Sequence, residues 1–555
     1  MLIAKNPILK GFNPDPCICK AGNDYFIATS TFEWFPGVQI HYSRDLVNWK
    51  LIAHPLNRVS QLNMLGVPDS GGVWAPCLSY SQSIFYLIYT IVLNTGRVKD
   101  THNYLVTSTD ICGQWSEPVY LNSSGFDPSL FHDNDGKKWL VNMKWDNRIG
   151  KSRFAGHLLQ EYDPKNKCLV GPVVNIFKGT EIGLSEGPHL YKRNGYYYLM
   201  AAEGGTSYNH AVTLTRSRCI TGPYEVHPKN PILTSKDSDI HQLLQKSGHA
   251  SIVEGLNKEW FMVHLCGRPI PKTDRCILGR ETAIQKVEWR EDDWLYLVNP
   301  SGVLPAWEVE VYSEPEAKCS ESQCTESQCL ESQCTETQCT ESINVKTAQY
   351  DDFNNHSLDI NFQSLRIPAE RFMSLTERPG FLRLYGKESL GSKYTQSLIA
   401  RRQQSFSYCS ETCLQFEPET SQQLAGLVCY YNTENYYYLR VSMDEELGGK
   451  CIGVLASINN DLSQSMLQDD NILINNAHSI FLKVEVHYCE LRFFYALKKD
   501  DWKQIGNVYD ASTLSDDAIQ GSAAFTGAFV GIACQDLAGK NKYADFDYFS
   551  YSETS

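Results

Sequence analysis

No apolar run in the 555-residue chain approaches the roughly 18 residues that cross a bilayer as a helix. The opening stretch, MLIAKNPILKGFNPDP, carries no apolar core of signal-peptide length. These two absences lead to the expectation of a soluble, unexported, cytoplasmic protein. Positive charge is in short supply: 50 Lys and Arg against 64 Asp and Glu leave a net charge of −14. A nucleic acid, an anionic membrane surface or an acidic polymer would each want a basic face, so none of them is expected as a partner. No apolar stripe of helical period stands out in either half. Nineteen cysteines are present, yet no Cys-x-x-Cys pair stands at zinc spacing. The count is odd, and Cys77, Cys266, Cys429 and Cys534 sit in apolar strand-like runs, so reduced, buried thiols are the simplest account. No metal site is expected, since neither these cysteines nor the five-residue cysteine repeat further on matches a usual ligand set, and no cofactor is required; a structural calcium ion is left open.

What the chain does have is length for two or three domains and strand-forming residues to fill them. Hydrophobic residues make up 42% and aromatics 12%, including 31 Tyr, 23 Phe and 11 Trp. Five segments share one pattern of a small or Pro-containing start, alternating apolar residues, a polar turn and an aromatic-rich strand. They begin at Asp15 (DPCICKAGNDYFIATS), Ala75 (APCLSYSQSIFYLIYT), Asp127 (DPSLFHDNDGKKWLVNM), Gly187 (GPHLYKRNGYYYLMAAE) and His249 (HASIVEGLNKEWFMVHL), 60, 52, 60 and 62 residues apart. Each reads as a β-hairpin, and a period near 60 leaves room for four strands and their turns. Five such units close a five-bladed β-propeller. The innermost strand of every blade then starts at the same end of the axis, so the residue at or just before each start faces one shared pocket. Those residues are Asp15, Trp74, Asp127, Glu186 and His249.

Residues 281–310 read as the closing strands of the last blade, giving a propeller domain over 1–315. Residues 316–348 contain a polar five-residue repeat with cysteines at 319, 324, 329, 334 and 339, too poor in apolar residues to fold alone and read as a linker. From 349 to 555 short strand-like runs recur between turn residues, which indicates a β-sandwich. The class is therefore all-β.

Asp15 lies between prolines in Asn13-Pro14-Asp15-Pro16, Asp127 precedes Pro128, and Glu186 stands in Glu186-Gly187-Pro188-His189. An isolated acid beside proline is usually a turn-capping residue. Three acids in register with a five-fold repeat are a constellation instead. They cannot all ionise cheaply in one pocket, so at least one is held protonated and another charged. Hydrolysis of a glycosidic bond needs such a pair.

The chain resembles glycoside hydrolase family 43, specifically its two-domain β-xylosidases. The resemblance runs along nearly the whole sequence, through GFNPDP, YFIATSTFEWFPGVQIHYSRDLVNW, PDSGGVWAPCLSY, GFDPSLFHDNDGKKWLVNMKWD, EGPHLYK, AAEGGTSYNH, GHASIVE, LGRETAIQKVEW, DINFQSLRIPAERFMSLTERPGFLRLYG, GLVCYYNTENYYYL, FTGAFVGI and ADFDYF. It implies an exo-acting, inverting hydrolase that releases D-xylose from the non-reducing ends of short β-1,4-xylo-oligosaccharides. The fold implied is a five-bladed propeller followed by a concanavalin-like sandwich. By the same resemblance Asp15 is the general base, Glu186 the general acid, and Asp127 the third acid that orients the site and raises the acid's pKa. Arg280 binds substrate hydroxyls near the carboxylates, and Phe32 and Trp74 form aromatic walls. His249 is a pocket histidine, its alternative being a hydrogen-bonded structural histidine beneath the site. Phe525 closes the pocket from the second domain. Relatives also imply a homo-oligomer, dimer or tetramer. Two departures stand out: the loop RPIPKTDRCILGRE looks short, and the cysteine repeat is foreign to the pattern.

Three other readings compete. α-L-Arabinofuranosidase activity is the rival within the family, because xylopyranose and arabinofuranose present similar hydroxyls. A retaining fructoside hydrolase of the same architecture would place its acid beside cysteine, whereas here it stands in Glu-Gly-Pro-His. A sugar-binding propeller without catalysis would be expected to lack one of the three acids.

Overall fold

The computed structural model describes residues 1–241, 244–312, 348–459, 471–519 and 523–554. Five four-stranded antiparallel blades fill the first half, the fourth with one additional short strand. Their inner strands are Cys17–Ala21, Gly72–Ser81, Ser129–His132, Glu186–Arg193 and Gln245–Glu254. Each of these touches the next, and the fifth touches the first, so the ring is closed. Alternation drives the assembly: in Ile84–Val92, for example, Phe85, Leu87, Tyr89 and Ile91 pack toward blade one while Tyr86 and Ile88 pack toward blade three.

The final strand of this half departs from expectation. Arg280–Trp289 and Leu295–Leu297 do complete blade five, but Glu308–Val311 does not join it. It pairs instead with the N-terminal strand Leu2–Lys5, Leu2 opposite Val311 and Lys5 opposite Glu308. Val309 and Val311 bury beside Ala4, Ile18 and Ile284, so the strand is an apolar clasp across the seam between blades one and five. Asn6 reinforces it by donating to the carbonyls of Ile284 and Ala306, both at 2.8 Å. The segment expected to link the domains, 316–348, lies outside the described residues but for its last, Ala348, the first residue of the strand Ala348–Asp351.

The second half is a sandwich of an eight-stranded and a six-stranded sheet. The two halves share a core. Trp34 stacks on Phe529 at 3.7 Å, and Phe12, Phe32 and Trp74 belong to the same buried cluster as Leu398, Val428 and Tyr430. Ser364–Leu365 of the sandwich pairs antiparallel with Trp34–Phe35 of the propeller. Arg366, with its side chain wholly buried, donates to the Val67 carbonyl at 2.7 Å and to Asp69 at 2.7 Å.

Candidate active site

A cavity of about 360 Å³ opens at the end of the propeller axis where the inner strands begin. The backbone there repeats with the blades. Asp15, Ala75, Asp127, Gly187 and His249 all adopt left-handed φ, between 36° and 58°. Four of the five are not glycine, so each holds a conformation that side chains adopt reluctantly, at about 1–2 kcal/mol apiece. The turn delivers the residue at its apex, or the one before it, to the axis. In blades one, three and five the apex residue enters the cavity, as Asp15, Asp127 and His249; in blades two and four the preceding residue does, as Trp74 and Glu186. Gly187 has a second reason to be glycine, since a Cβ there would stand 3.0 Å from His249 Nε2.

All eight residues singled out from the sequence line this cavity: Asp15, Phe32, Trp74, Asp127, Glu186, His249, Arg280 and Phe525. Asp15 accepts from the Ser30 hydroxyl at 2.7 Å and faces Arg280 Nη1 at 3.4 Å and His249 Nδ1 at 3.6 Å. Burial pushes its carboxyl up, but the guanidinium, the neighbouring imidazole and the serine together outweigh burial and hold it below the ordinary value. Burial also pushes His249 down to about 4, so at neutral pH the imidazole is uncharged and Arg280 is the fixed positive group beside Asp15. Glu186 moves the other way. Burial, and then the charge of Asp15, push it up to about 8. Asp127 is raised well above the carboxylate range by burial and by Glu186 and Asp15, although it accepts the Gly187 amide at 3.0 Å. Near pH 7 Asp15 is therefore the carboxylate of the cluster and Glu186 keeps its proton, while Asp127 is driven toward its protonated form.

Aromatic rings shape the walls. Trp74 meets Phe126 edge to face at 5.2 Å and Phe525 at 5.6 Å, and its indole is fixed by donation to the Ser70 carbonyl at 2.9 Å. Phe525 comes from the sandwich, and its amide donates to Ser70 Oγ at 3.0 Å. Several lining residues escaped sequence reading: Lys99, Trp145, Arg153, Phe154 and Thr206. Lys99 lies over Trp74 at 5.2 Å and over Trp145 at 4.8 Å, with burial lowering its pKa to about 8. These residues sit on or beside the loops that join the second and third strands of blades two, three and four, away from the repeat starts. Only the motifs KWD, for Trp145, and GGT, for Thr206, carried any signal of them.

A buried acid held protonated beside an ionised one, at the end of a propeller axis under an aromatic roof, is the arrangement that a glycoside hydrolase needs. The chain matches Glycosyl hydrolases family 43 over residues 4–295 and the Beta xylosidase C-terminal Concanavalin A-like domain over residues 350–552. It is 51% identical to a β-xylosidase of Bacillus subtilis (strain 168), over 99% of both chains, and 49% identical to xylosidase/arabinosidase 43B of Humicola insolens, over 99% of this chain and 97% of that one. The crystal structure of a xylan β-1,4-xylosidase from Bacillus halodurans C-125 superposes with a TM-score of 0.90 at 49% identity, covering 99% of this chain and all of the other. The chain belongs to glycoside hydrolase family 43.

Proposed function

We propose that the protein is an exo-acting, inverting β-xylosidase that releases D-xylose from the non-reducing ends of short β-1,4-xylo-oligosaccharides. The observation that carries this reading is the placement of two buried acids on blades one and four of a pocket roofed by Phe525: Asp15 beside Ser30 and Arg280, and Glu186 with no hydrogen-bonded cation among the described residues to hold it ionised. Asp15, ionised, takes the proton of an attacking water. Glu186, protonated, delivers its proton to the departing glycosidic oxygen. Asp127 accepts the Gly187 amide and so holds the backbone beside Glu186; the upward push on Glu186 comes from burial and from Asp15, not from Asp127 as the family resemblance implied. Inversion follows when the two carboxyl groups bracket the sugar with space for water between, roughly 6.5–9.5 Å apart. Arg280 keeps the base ionised and presents its remaining N–H groups to sugar hydroxyls. The Phe32, Trp74 and Phe525 rings accept the apolar faces of one terminal sugar, and a pocket roofed in this way suits a chain end better than a polymer passing through.

The deciding experiment follows xylotriose hydrolysis by NMR. The expected result is xylose of inverted anomeric configuration together with xylobiose at early times. A retained anomer, or rapid loss of xylan viscosity, contradicts the reading. α-L-Arabinofuranosidase is the second activity to measure, because a relative of comparable identity carries both names. The protein is further proposed to work inside the cell as a homo-oligomer, dimer or tetramer. Buried unpaired thiols such as Cys266, Cys429 and Cys534 suit a reducing compartment. Fractionation and light scattering test the two points.

A further inference from the structure

Beneath the acids the propeller axis holds a second layer of convergent side chains. Two residues past each left-handed turn, the inner strands carry Cys17, Cys77, Ser129, His189 and Ser251. The serines are committed to the backbone of neighbouring blades: Ser129 Oγ donates to the Pro188 carbonyl at 2.6 Å and Ser251 Oγ to the Pro16 carbonyl at 3.0 Å. The other three meet. One ligand atom from each of Cys17, Cys77 and His189 lies within 4.8 Å of the other two, and the sulfurs of Cys17 and Cys77 are 3.6 Å apart. Both cysteines are buried and His189 is half-buried.

We propose that Cys17, Cys77 and His189 bind one thiophilic cation, Zn²⁺ in the first instance, on the propeller axis directly below the acid cluster. Two thiolates at about 2.3 Å from a tetrahedral zinc ion stand about 3.8 Å apart, and an imidazole nitrogen at about 2.0–2.1 Å completes a common ligand set with a fourth position left for water. The sulfur pair is already near that edge length. Calcium, which wants six to eight oxygens, does not suit two sulfurs and an imidazole. On binding, each thiol gives up its proton to solvent. Two thiolates then balance the divalent charge, so no net charge is added beneath Asp15. The ion would clamp blades one, two and four together. Asp15 stands in the turn two residues ahead of Cys17, where one clamped strand begins, and Glu186 three residues before His189 on another, so the clamp positions both. No local motif announces this site, because its ligands are 60 and 112 residues apart and only ring closure unites them.

The test uses the full-length chain with the five repeat cysteines 319, 324, 329, 334 and 339 replaced by serine, stripped with a chelator and titrated with Co²⁺ and then Zn²⁺. The expected result is one equivalent of Co²⁺ bound with thiolate-to-cobalt charge-transfer absorption, displaced by Zn²⁺, and absent from Cys17→Ser and Cys77→Ser. At Zn²⁺ ten times its Kd, alkylation of Cys17 and Cys77 falls about tenfold while that of exposed Cys112 does not change. This second readout needs only the parent chain, so it decides the matter even when a substitution impairs folding. Absence of both the absorption and the protection, or an undiminished absorption in the two serine variants, overturns the proposal.

Discussion

Arg280 of the propeller donates through Nη2 to the backbone carbonyl of Phe525 in the sandwich, at 2.8 Å, across 245 residues of sequence. The same guanidinium reaches Asp15 and the Thr206 hydroxyl through Nη1, at 3.4 and 3.0 Å, and lies over the rings of Phe32 and Phe525 at 5.3 and 5.4 Å. One side chain thus contributes both to the ionisation of Asp15 and to the position of the roof. The second domain is part of the pocket, and Gly279, whose Cβ would stand 2.3 Å from the Thr526 carbonyl, shows how closely the two backbones approach there.

Arg280→Lys keeps the charge but loses the fork that serves three acceptors at once, Asp15, Thr206 and the Phe525 carbonyl. Asp15 is then less well held against burial, so its pKa rises. The acidic limb of kcat/KM shifts to higher pH, and kcat/KM at neutral pH falls about a hundredfold, the equivalent of ~2.7 kcal/mol. An acidic limb that stays in place would show that Asp15 owes its low pKa to other groups.

Glu186→Ala should slow xylobiose hydrolysis about 10²–10⁴-fold, while aryl xylosides with acidic leaving groups lose far less, since they need little protonation. Equal losses on the two substrate types would remove Glu186 from the acid role.

The pH profile of the intact enzyme should fall on the alkaline side near pH 8, as the Glu186 proton is lost. Stability carries the same signature. A carboxyl whose folded pKa is raised favours the folded state at low pH, and that advantage disappears as pH climbs from its unfolded value near 4.5 through about 8. Glu186→Gln cannot ionise. Its melting temperature should match the parent's near pH 4 and exceed it by several degrees above pH 8; a constant difference at all pH values would contradict a raised Glu186.

Phe525→Ala removes the roof ring without touching an acid. KM for xylobiose should rise about tenfold with kcat nearly unchanged, because the contact is made equally in ground and transition states. A selective loss of kcat would place Phe525 in transition-state binding.

Arg366→Ala strips the cation from a buried interdomain cluster in which Asp69 is its ion-pair partner and Glu33 is pushed up to about 8 by burial and by Asp69. Leaving a buried acid unpaired costs about 3–5 kcal/mol. Calorimetry should show the two domains melting apart or the whole transition falling markedly; a loss under about 1 kcal/mol would mean the interface rests on its apolar contacts alone.

The propeller was legible in advance because its repeats carry the signal locally. Asp-Pro, Ala-Pro, Asp-Pro and Gly-Pro recur at near-constant spacing, and each heads an alternating strand whose register is fixed by which face is buried. The misjudged element was WEVEVY. As a strand it read correctly, but nothing within it specifies a partner. Val309 and Val311 find theirs in Ala4 and Ile18, some 300 residues earlier, so pairing there is decided by closure of the ring. Lys99, Arg153 and Phe154 were missed for a related reason: they reach the cavity from the loops between second and third strands, whose length and sequence differ from blade to blade.

The sequence by itself determined the number of blades, the all-β class, the division into two halves and the identity of the converging acids, since periodicity and turn residues are properties of short segments. Tertiary structure alone decided which acid keeps its proton. Asp15 and Glu186 have nearly the same intrinsic acidity, and they are driven apart because Arg280 and Ser30 surround one while burial and the charge of Asp15 bear on the other. It also decided that Phe525 roofs the pocket and that Cys17, Cys77 and His189 meet on the axis. Both depend on distances between segments far apart in the chain, which exist only once the ring has closed and the sandwich has docked against it.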